Sequence, residues 1–285
     1  MRGASPVDTM AAIEEVRRVA ALSTRHDTPC GDGTMVWRSW GEGEPLVLLH
    51  GGFGSWMHWI RNVEALSRVR RVLAPDLPGL GDSASPPEPV DPEALGTIVL
   101  AGVDRILGDA TRLDLAAFSF GGVVAGAVAP RLGQRLRSLT LVGASGIGLP
   151  RPAFELVRRE PEMDAAARLD AHRRNLMTLM LRDPAHLDAL ALHIHADNDD
   201  RARLRSRRMS VGDSLARALP HIDARLNGIW GEHDITARGQ LDAHRQLLAA
   251  SHPELRFHVV PDVGHWVAYE ASATFNRLLS ELLVR

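Results

Sequence analysis

The stretch LDLAAFSFGGVVAGAVA, from Leu113 to Ala129, limits the architecture more than any other part of this chain. A short apolar run ends at Phe118, one polar residue follows at Ser119, and Gly121 and Gly122 then open a run of small residues. The first part suits a buried strand, and the second suits a helix whose backbone packs closely on its neighbours. The junction is a tight strand-turn-helix bend, which projects its central side chain above the sheet. The residues flanking that side chain must be small where the two backbones approach, and Ala117 and Gly121 meet the requirement. Taken by itself, Ser119 also reads as a helix-capping serine.

Strand and helix patterns alternate through most of the chain. TMVWRSW alternates as a strand, GEGEP supplies a turn, and LVLLH reads as a short buried strand, together suggesting a hairpin that leads into the central sheet. WMHWIRNVEALS reads as a helix, RRVLAPD as a strand, and DPEALGTIVLAGVDRILG as a helix opened by Asp91 and Pro92. RLRSLTLVG, LNGIWGEHD and LRFHVVP read as further strands, with GQLDAHRQLLAA and SATFNRLLSELLVR as helices. This rhythm predicts an α/β fold: a mostly parallel central sheet flanked by helices. From about Gly148 to Leu215 the strands stop, and FELVRRE, AARLDAHRRNLMTLMLR and AHLDALALHIHA read as helical. The expected organisation is a core of residues 1–147 and 216–285, an N-terminal accessory helix over about 10–22, and a helical cap inserted over 148–215.

AFSFGG resembles the small-x-Ser-x-Gly nucleophile elbow of the alpha/beta-hydrolase superfamily, with Ala117 in place of the more usual first glycine. A serine nucleophile needs a base to take its proton and a third group to orient that base, and the resemblance implies the chain order Ser, acid, His. His265 in PDVGHW follows the last expected strand, and Asp234 in GIWGEHD follows the one before; both resemble the superfamily's patterns. Glu232, Asp262 and Asp76 are competing carboxylates, and motif position selects Asp234. Ser119, His265 and Asp234 are thus the expected triad. For the oxyanion that forms during acyl transfer, the resemblance implies the amide of Phe120 and one from HGGFG, at Gly52 or Phe53. His50 and the loop DLPGLGDS read as scaffold.

A serine at the elbow favours ester-type acyl transfer and argues against the branches that use a carboxylate nucleophile. GHW, with Trp266 after His265, and the Arg-rich cap are similar to hydrolases that cleave carbon-carbon bonds in meta-cleavage products. Their elbow carries Asn and Met around the serine, where this chain has Phe118 and Phe120, and their cap arginine corresponds here to Arg201 or Arg203. Small carboxylic esters are the first expectation and a dienone the alternative. A hydrolase-like receptor that binds without turnover is a third. Phe118, Trp56, Trp266 and Met180 are expected to line the pocket, with Trp59, Phe120, Leu176, Leu179 and Leu181 as further candidates.

Composition closes off other classes. With 33 basic and 35 acidic residues the formal charge is -2, which gives no long-range attraction for nucleic acid. All the basic residues are Arg, which removes Schiff-base and phosphate-loop lysines. No apolar run approaches the roughly 20 residues of a membrane span. The N-terminus lacks the apolar core of a secretion signal, and Cys30, in the turn-like TPCGDG, has no partner for an internal disulfide, so a cytoplasmic location is expected. HIHADN resembles part of an H-x-H-x-D metal signature, but its two histidines diverge by about 200 degrees on a helix. The expectation is no metal and no cofactor, a small molecule as partner, and a homodimer through the N-terminal helix left open.

Overall fold

The computed structural model describes residues 6–283. Eight strands form one sheet in the order β1-β2-β4-β3-β5-β6-β7-β8. They are β1 (Thr24–Cys30), β2 (Gly33–Trp40), β3 (Pro45–Leu49), β4 (Arg71–Pro75), β5 (Leu113–Phe118), β6 (Leu136–Val142), β7 (Arg225–Gly231) and β8 (Arg256–Val260). β1 with β2 and β2 with β4 are antiparallel, and every pairing from β4 through β8 is parallel. The helices are α1 (Pro6–Ala21), α2 (Val63–Leu66), α3 (Pro92–Leu107), α4 (Gly121–Leu132), α5 (Ala165–Leu179), α6 (Ala189–Arg201), α7 (Arg207–Ser210), α8 (Ser214–Ala218), α9 (Leu241–Ser251), α10 (Val267–Glu270) and α11 (Ser272–Leu283). Val284 and Arg285, expected to end the last helix, lie outside the described residues, as do residues 1–5 of the expected core.

The sheet carries a core on each face because side chains alternate along a strand. Val47, Leu49, Leu115 and Ala117 point into a core shared with α3, α4 and α9. Leu46, Leu48, Ala116 and Phe118 point into the other, shared with α2, α10 and α11. α3 begins where expected: Asp91 Oδ1 accepts the amide of Ala94 at 2.8 Å, with Pro92 at the first helical position. Among the described residues no helix is long and apolar enough to cross a membrane.

Four sequence expectations change. The hairpin is β1–β2, because β4 inserts between β2 and β3. Thr28, Pro29 and Cys30 therefore belong to an edge strand, with the Cys30 thiol buried and donating to the Ala84 carbonyl at 3.3 Å. The helix expected over WMHWIRNVEALS is split into a 3-10 turn, Trp56–Trp59, and α2. The break sits where the Asn62 side chain donates to the Ala268 carbonyl at 2.8 Å and Asn276 donates to the Arg61 carbonyl at 3.1 Å. FELVRRE is not helical: Asn175 of α5 accepts the Val157 amide at 2.7 Å and donates to its carbonyl at 2.9 Å, engaging the backbone groups that a helix would pair. The N-terminal helix starts before residue 10, ends at Ala21, buries Ala12 and Val19, and packs against α6.

The chain leaves β3 toward β4 on one side and returns through β5 on the other, so the strand order reverses between β3 and β5. Such a reversal opens a crevice outside the carboxyl ends of the two strands. α5, α6 and α7 belong to the long excursion between β6 and β7, parts of which come over this crevice.

Candidate active site

β5 ends at Phe118, and Ser119 turns the chain with φ +49°. That left-handed backbone is strained for a residue with a side chain, so its surroundings must hold it. They do: the Ser119 amide donates to the Val142 carbonyl at 2.9 Å, and its carbonyl accepts the amides of Gly122 and Ser145, each at 2.9 Å. The turn fits only because residue 121 is glycine. A Cβ there would stand 2.5 Å from the Leu49 carbonyl oxygen and 2.9 Å from that of His50.

Parallel register delivers the other two groups. Phe118 pairs with Val142, Val142 with Ile229, and Gly231 with Val260, so the loops after β5, β6, β7 and β8 leave one edge of the sheet side by side. His265 Nε2 lies 3.0 Å from Ser119 Oγ, and His265 Nδ1 lies 2.8 Å from Asp234 Oδ2. Both the imidazole and the carboxylate are buried. Burial acts most strongly on the Asp234 carboxyl and pushes its pKa up. The opposing attraction and hydrogen bond of His265, with two donations from Thr236, outweigh it and hold the pKa below the ordinary value. Asp234 is therefore an acceptor, which places the imidazole proton on Nδ1 and turns the Nε2 lone pair toward the serine hydroxyl. Gly143 makes room for this pair: it has φ +49°, and a Cβ there would come within 3.0 Å of both Asp234 Oδ2 and His265 Nδ1.

The competing acids are engaged elsewhere. Asp76 accepts the amides of Trp56 and Asp82, each at 2.8 Å, and Ser83 Oγ donates to its carbonyl at 2.6 Å. The loop from Asp76 to Ser83 is thus scaffold, and burial pushes the Asp76 pKa up to about 6. Glu232 accepts the Asp262 amide at the surface.

The HGGFG loop is held by two histidines. His50 Nε2 accepts the Leu77 amide at 2.8 Å, so Nδ1 donates to the Gly51 carbonyl at 2.7 Å. His58 Nδ1 accepts the Gly51 amide at 3.2 Å, and its ring reaches the cavity wall. Among the described residues the amides of Gly52, Phe53 and Phe120 have no acceptor, and Phe53 has φ +49°. These amides are available to an anion.

Ser119 opens into a cavity of about 120 Å³ with a mostly apolar wall that includes Phe118, Phe154, Leu156, Leu179 and Met180. Phe118 and Met180 are where the sequence puts them. Trp56 and Trp266 are not on this wall. Trp56 lies tilted against Trp40, ring centroids 5.4 Å apart, under the Arg38 guanidinium. Trp266 lies flat on Tyr269 at 4.2 Å and donates to the His58 carbonyl at 2.8 Å, so both indoles are core. Trp59, Phe120, Leu176 and Leu181 are also buried away from it, whereas Leu179 lines it. Arg201 and Arg203 are turned from the cavity as well. Arg201 pairs with Asp82 and Asp197, and Arg203 donates to the Gly81 and Ser83 carbonyls, tying α6 to the Asp76 loop. On α6, His195 rests edge-on against His172 at 5.4 Å, and Asp197 is engaged by Arg201.

Thr236, Gly143, His58, Arg151 and Arg207 are site residues that the sequence reading missed. Only Thr236 leaves a local trace, two residues beyond an acid in a turn, where its amide and hydroxyl both donate to Asp234 Oδ1 at 2.8 Å.

A model of the Alpha/beta hydrolase family matches residues 46–278. The chain is 32% identical over 255 residues to the dihydrolipoyllysine-residue acetyltransferase component of an acetoin cleaving system from Pseudomonas putida, covering 85% of this chain and 64% of that protein. It thus spans less than two thirds of the length of that relative. It is 30% identical over 265 residues to a 2-hydroxy-6-oxo-2,4-heptadienoate hydrolase of Pseudomonas putida, covering 85% of this chain and 90% of the other. An esterase from Thermogutta terrifontis superposes with a TM-score of 0.67 at 22% identity, over 91% of this chain and 98% of the other, which is a likeness of fold.

Proposed function

Because the chain belongs to the alpha/beta hydrolase family, we propose that it is a serine hydrolase that cleaves a small carboxylic ester through an acyl-enzyme on Ser119. The observation that carries this reading is the unbroken hydrogen-bonded series Ser119–His265–Asp234 opening onto an apolar cavity. Ser119 Oγ attacks the carbonyl carbon while His265 Nε2 takes its proton, and Asp234 stabilises the imidazolium that results. The carbon–oxygen bond to the alcohol breaks as His265 returns the proton to the leaving oxygen. Water then gives a proton to His265 and attacks the acyl carbon, and as the bond to Ser119 Oγ breaks, His265 passes that proton to Oγ, releasing the acid and free Ser119. The amide of Phe120 and that of Gly52 or Phe53 hold the oxyanion in both steps, each donor contributing about 3 kcal/mol.

In this reading residues 148–215 act as a cap on the core of 1–147 and 216–285, the partner is the small-molecule substrate, and the setting is the cytoplasm. The test is a fluorophosphonate probe with short p-nitrophenyl esters. Covalent labelling confined to Ser119, with turnover that Ser119→Ala abolishes, is expected. Tight ligand binding with no labelling and no turnover would instead identify a receptor.

A second reading, hydrolysis of a carbon-carbon bond in a ring-fission dienone, is favoured by the 30% identical relative of that activity. Against it stand Arg201 and Arg203, which are engaged away from the cavity. Bleaching of a coloured dienone faster than ester cleavage would reverse the order of the two.

A further inference from the structure

Most arginines of this chain that approach the interior meet a carboxylate. Arg70 and Arg137 share Asp114 and Glu44, Arg61 meets Asp188, Arg135 meets Asp104, and Arg159 meets Asp199 and Asp200. Arg151 is the exception at the site. It is half-buried, it lines the cavity of Ser119, and among the described residues no carboxylate lies within 4.0 Å of it. Among the described residues its one polar contact is Nη2 donating to Ser145 Oγ at 3.1 Å. Ser145 is the residue whose amide donates to the Ser119 carbonyl, so this guanidinium stands one side chain from the bend that carries the hydroxyl.

Arg151 also marks where the character of the space changes. On one side is the apolar wall of Phe118, Phe154, Leu179 and Met180. On the other is a second hollow, lined by Ser145, Thr236 and His244 and sharing Arg151 with the first. Burial lowers the Arg151 pKa, which Asp234 opposes and Arg207 reinforces, yet a guanidinium keeps its charge at neutral pH. A charge drawn from water costs free energy unless an anion and hydrogen bonds compensate it. Arg207, on the same wall and likewise without a carboxylate partner among the described residues, adds positive charge there. A guanidinium offers a planar fork of N–H donors, which matches a carboxylate.

We infer that Arg151 is a carboxylate-binding subsite of the Ser119 cavity, so that the ester this chain cleaves is a half-ester carrying a free carboxylate at the far end of its acyl chain. The inference rests on the esterase reading for the reaction, and on the unpaired guanidinium for the substrate class. The apolar wall holds the carbon chain between the two groups, and Arg151 fixes the distance from the anion to Ser119.

The test compares mono-4-nitrophenyl glutarate with 4-nitrophenyl valerate, which match in acyl length and differ in the terminal carboxylate. The parent is expected to favour the glutarate ester. Arg151→Gln should lower the ratio of the two kcat/KM values by about 30-fold, mainly through KM, and Arg151→Lys should recover part of it. A ratio that Arg151→Gln leaves unchanged overturns the subsite. Calorimetric titration of Ser119→Ala protein with monomethyl glutarate separates this from the esterase reading. If neither ester is turned over, binding that Arg151→Gln weakens at least tenfold still supports the subsite, whereas absent or Arg151-independent binding overturns it.

Discussion

The buried carboxylate of Glu270 accepts the amide of Gly264, the residue before His265, at 2.7 Å, and through its other oxygen it accepts the amides of Arg182 and Asp183 at 2.8 and 2.6 Å. The Trp266 amide donates to the Met180 carbonyl at 2.8 Å from the other side of His265. The loop that presents the imidazole is thus fastened on both sides of His265 to the end of α5, and Leu179 and Met180 of that same region form part of the cavity wall. Position of the imidazole and position of the wall are one structural unit.

Glu270→Gln separates these roles. Two donors converge on Oε1, so the amide oxygen will stay there and the NH2 will face the Gly264 N–H. Each donor left unsatisfied costs about 1–3 kcal/mol, and Tm should fall by about 2–4 °C per kcal/mol. Because the mismatch falls beside His265, kcat for a p-nitrophenyl ester should drop about tenfold with little change in KM. Leu248→Ala, a buried position on α9 away from the cavity, should lower Tm without lowering kcat at 20 °C. Equal loss of kcat in the two variants would reduce Glu270 to a stability role.

The assignment of the acid is tested by Asp234→Asn. An asparagine amide can donate to His265 Nδ1 and stabilise the tautomer that turns Nε2–H toward Ser119, so kcat should fall by about four powers of ten while the fold persists. Glu232→Gln and Asp262→Asn change exposed carboxylates at the same end of the sheet and should keep kcat within about threefold. Kinetics on all three variants at pH 7.5 decide it: a deeper loss in either exposed variant would move the orienting role to that residue.

The three side chains that meet in hydrogen-bond contact, Ser119, His265 and Asp234, were legible because each follows a strand in a short local pattern: the small residues around Ser119, the GxxD turn at Asp234 and the GH at His265. What local patterns cannot carry is order within the sheet. β1 is polar along its exposed side and pairs with β2 alone, so its end reads as part of the turn-like TPCGDG, and nothing in β2 or β3 announces that β4 lies between them. The pocket was half legible for a similar reason. Trp56 and Trp266 stand next to site residues in sequence, but their rings turn into the core, while Arg151, Phe154 and Leu156 come from an irregular segment whose apolar spacing imitates a helix. Arg201 and Arg203 were selected only by resemblance to a cap arginine, and the partners that tie them to the Asp76 loop, Asp82 and the Gly81 and Ser83 carbonyls, are remote in sequence.

Buried histidines set the acid limit of the fold. Burial lowers the pKa of His50 and of His195 to about 4 and that of His58 well below its ordinary value. In the unfolded chain these imidazoles titrate near 6.5, so between that pH and their folded values the unfolded state binds protons that the native state does not. Their contribution is therefore complete above pH 6.5 and is lost as pH falls toward 4, on the order of 2 kcal/mol for each histidine at pH 5. Asp76 acts in the opposite sense. Its folded pKa of about 6 lies above the unfolded value, so its share is present at low pH and lost as pH rises through 6. It offsets on the order of 1 kcal/mol of the loss at pH 5. The urea midpoint should fall steeply from pH 7 to pH 5, and His195→Leu should flatten that slope by about 1.4 kcal/mol per pH unit, one proton's worth. A midpoint independent of pH over this range would show that the three imidazoles reach water in the native state, and with it that the packing around His50 and His58 does not hold the HGGFG loop dry.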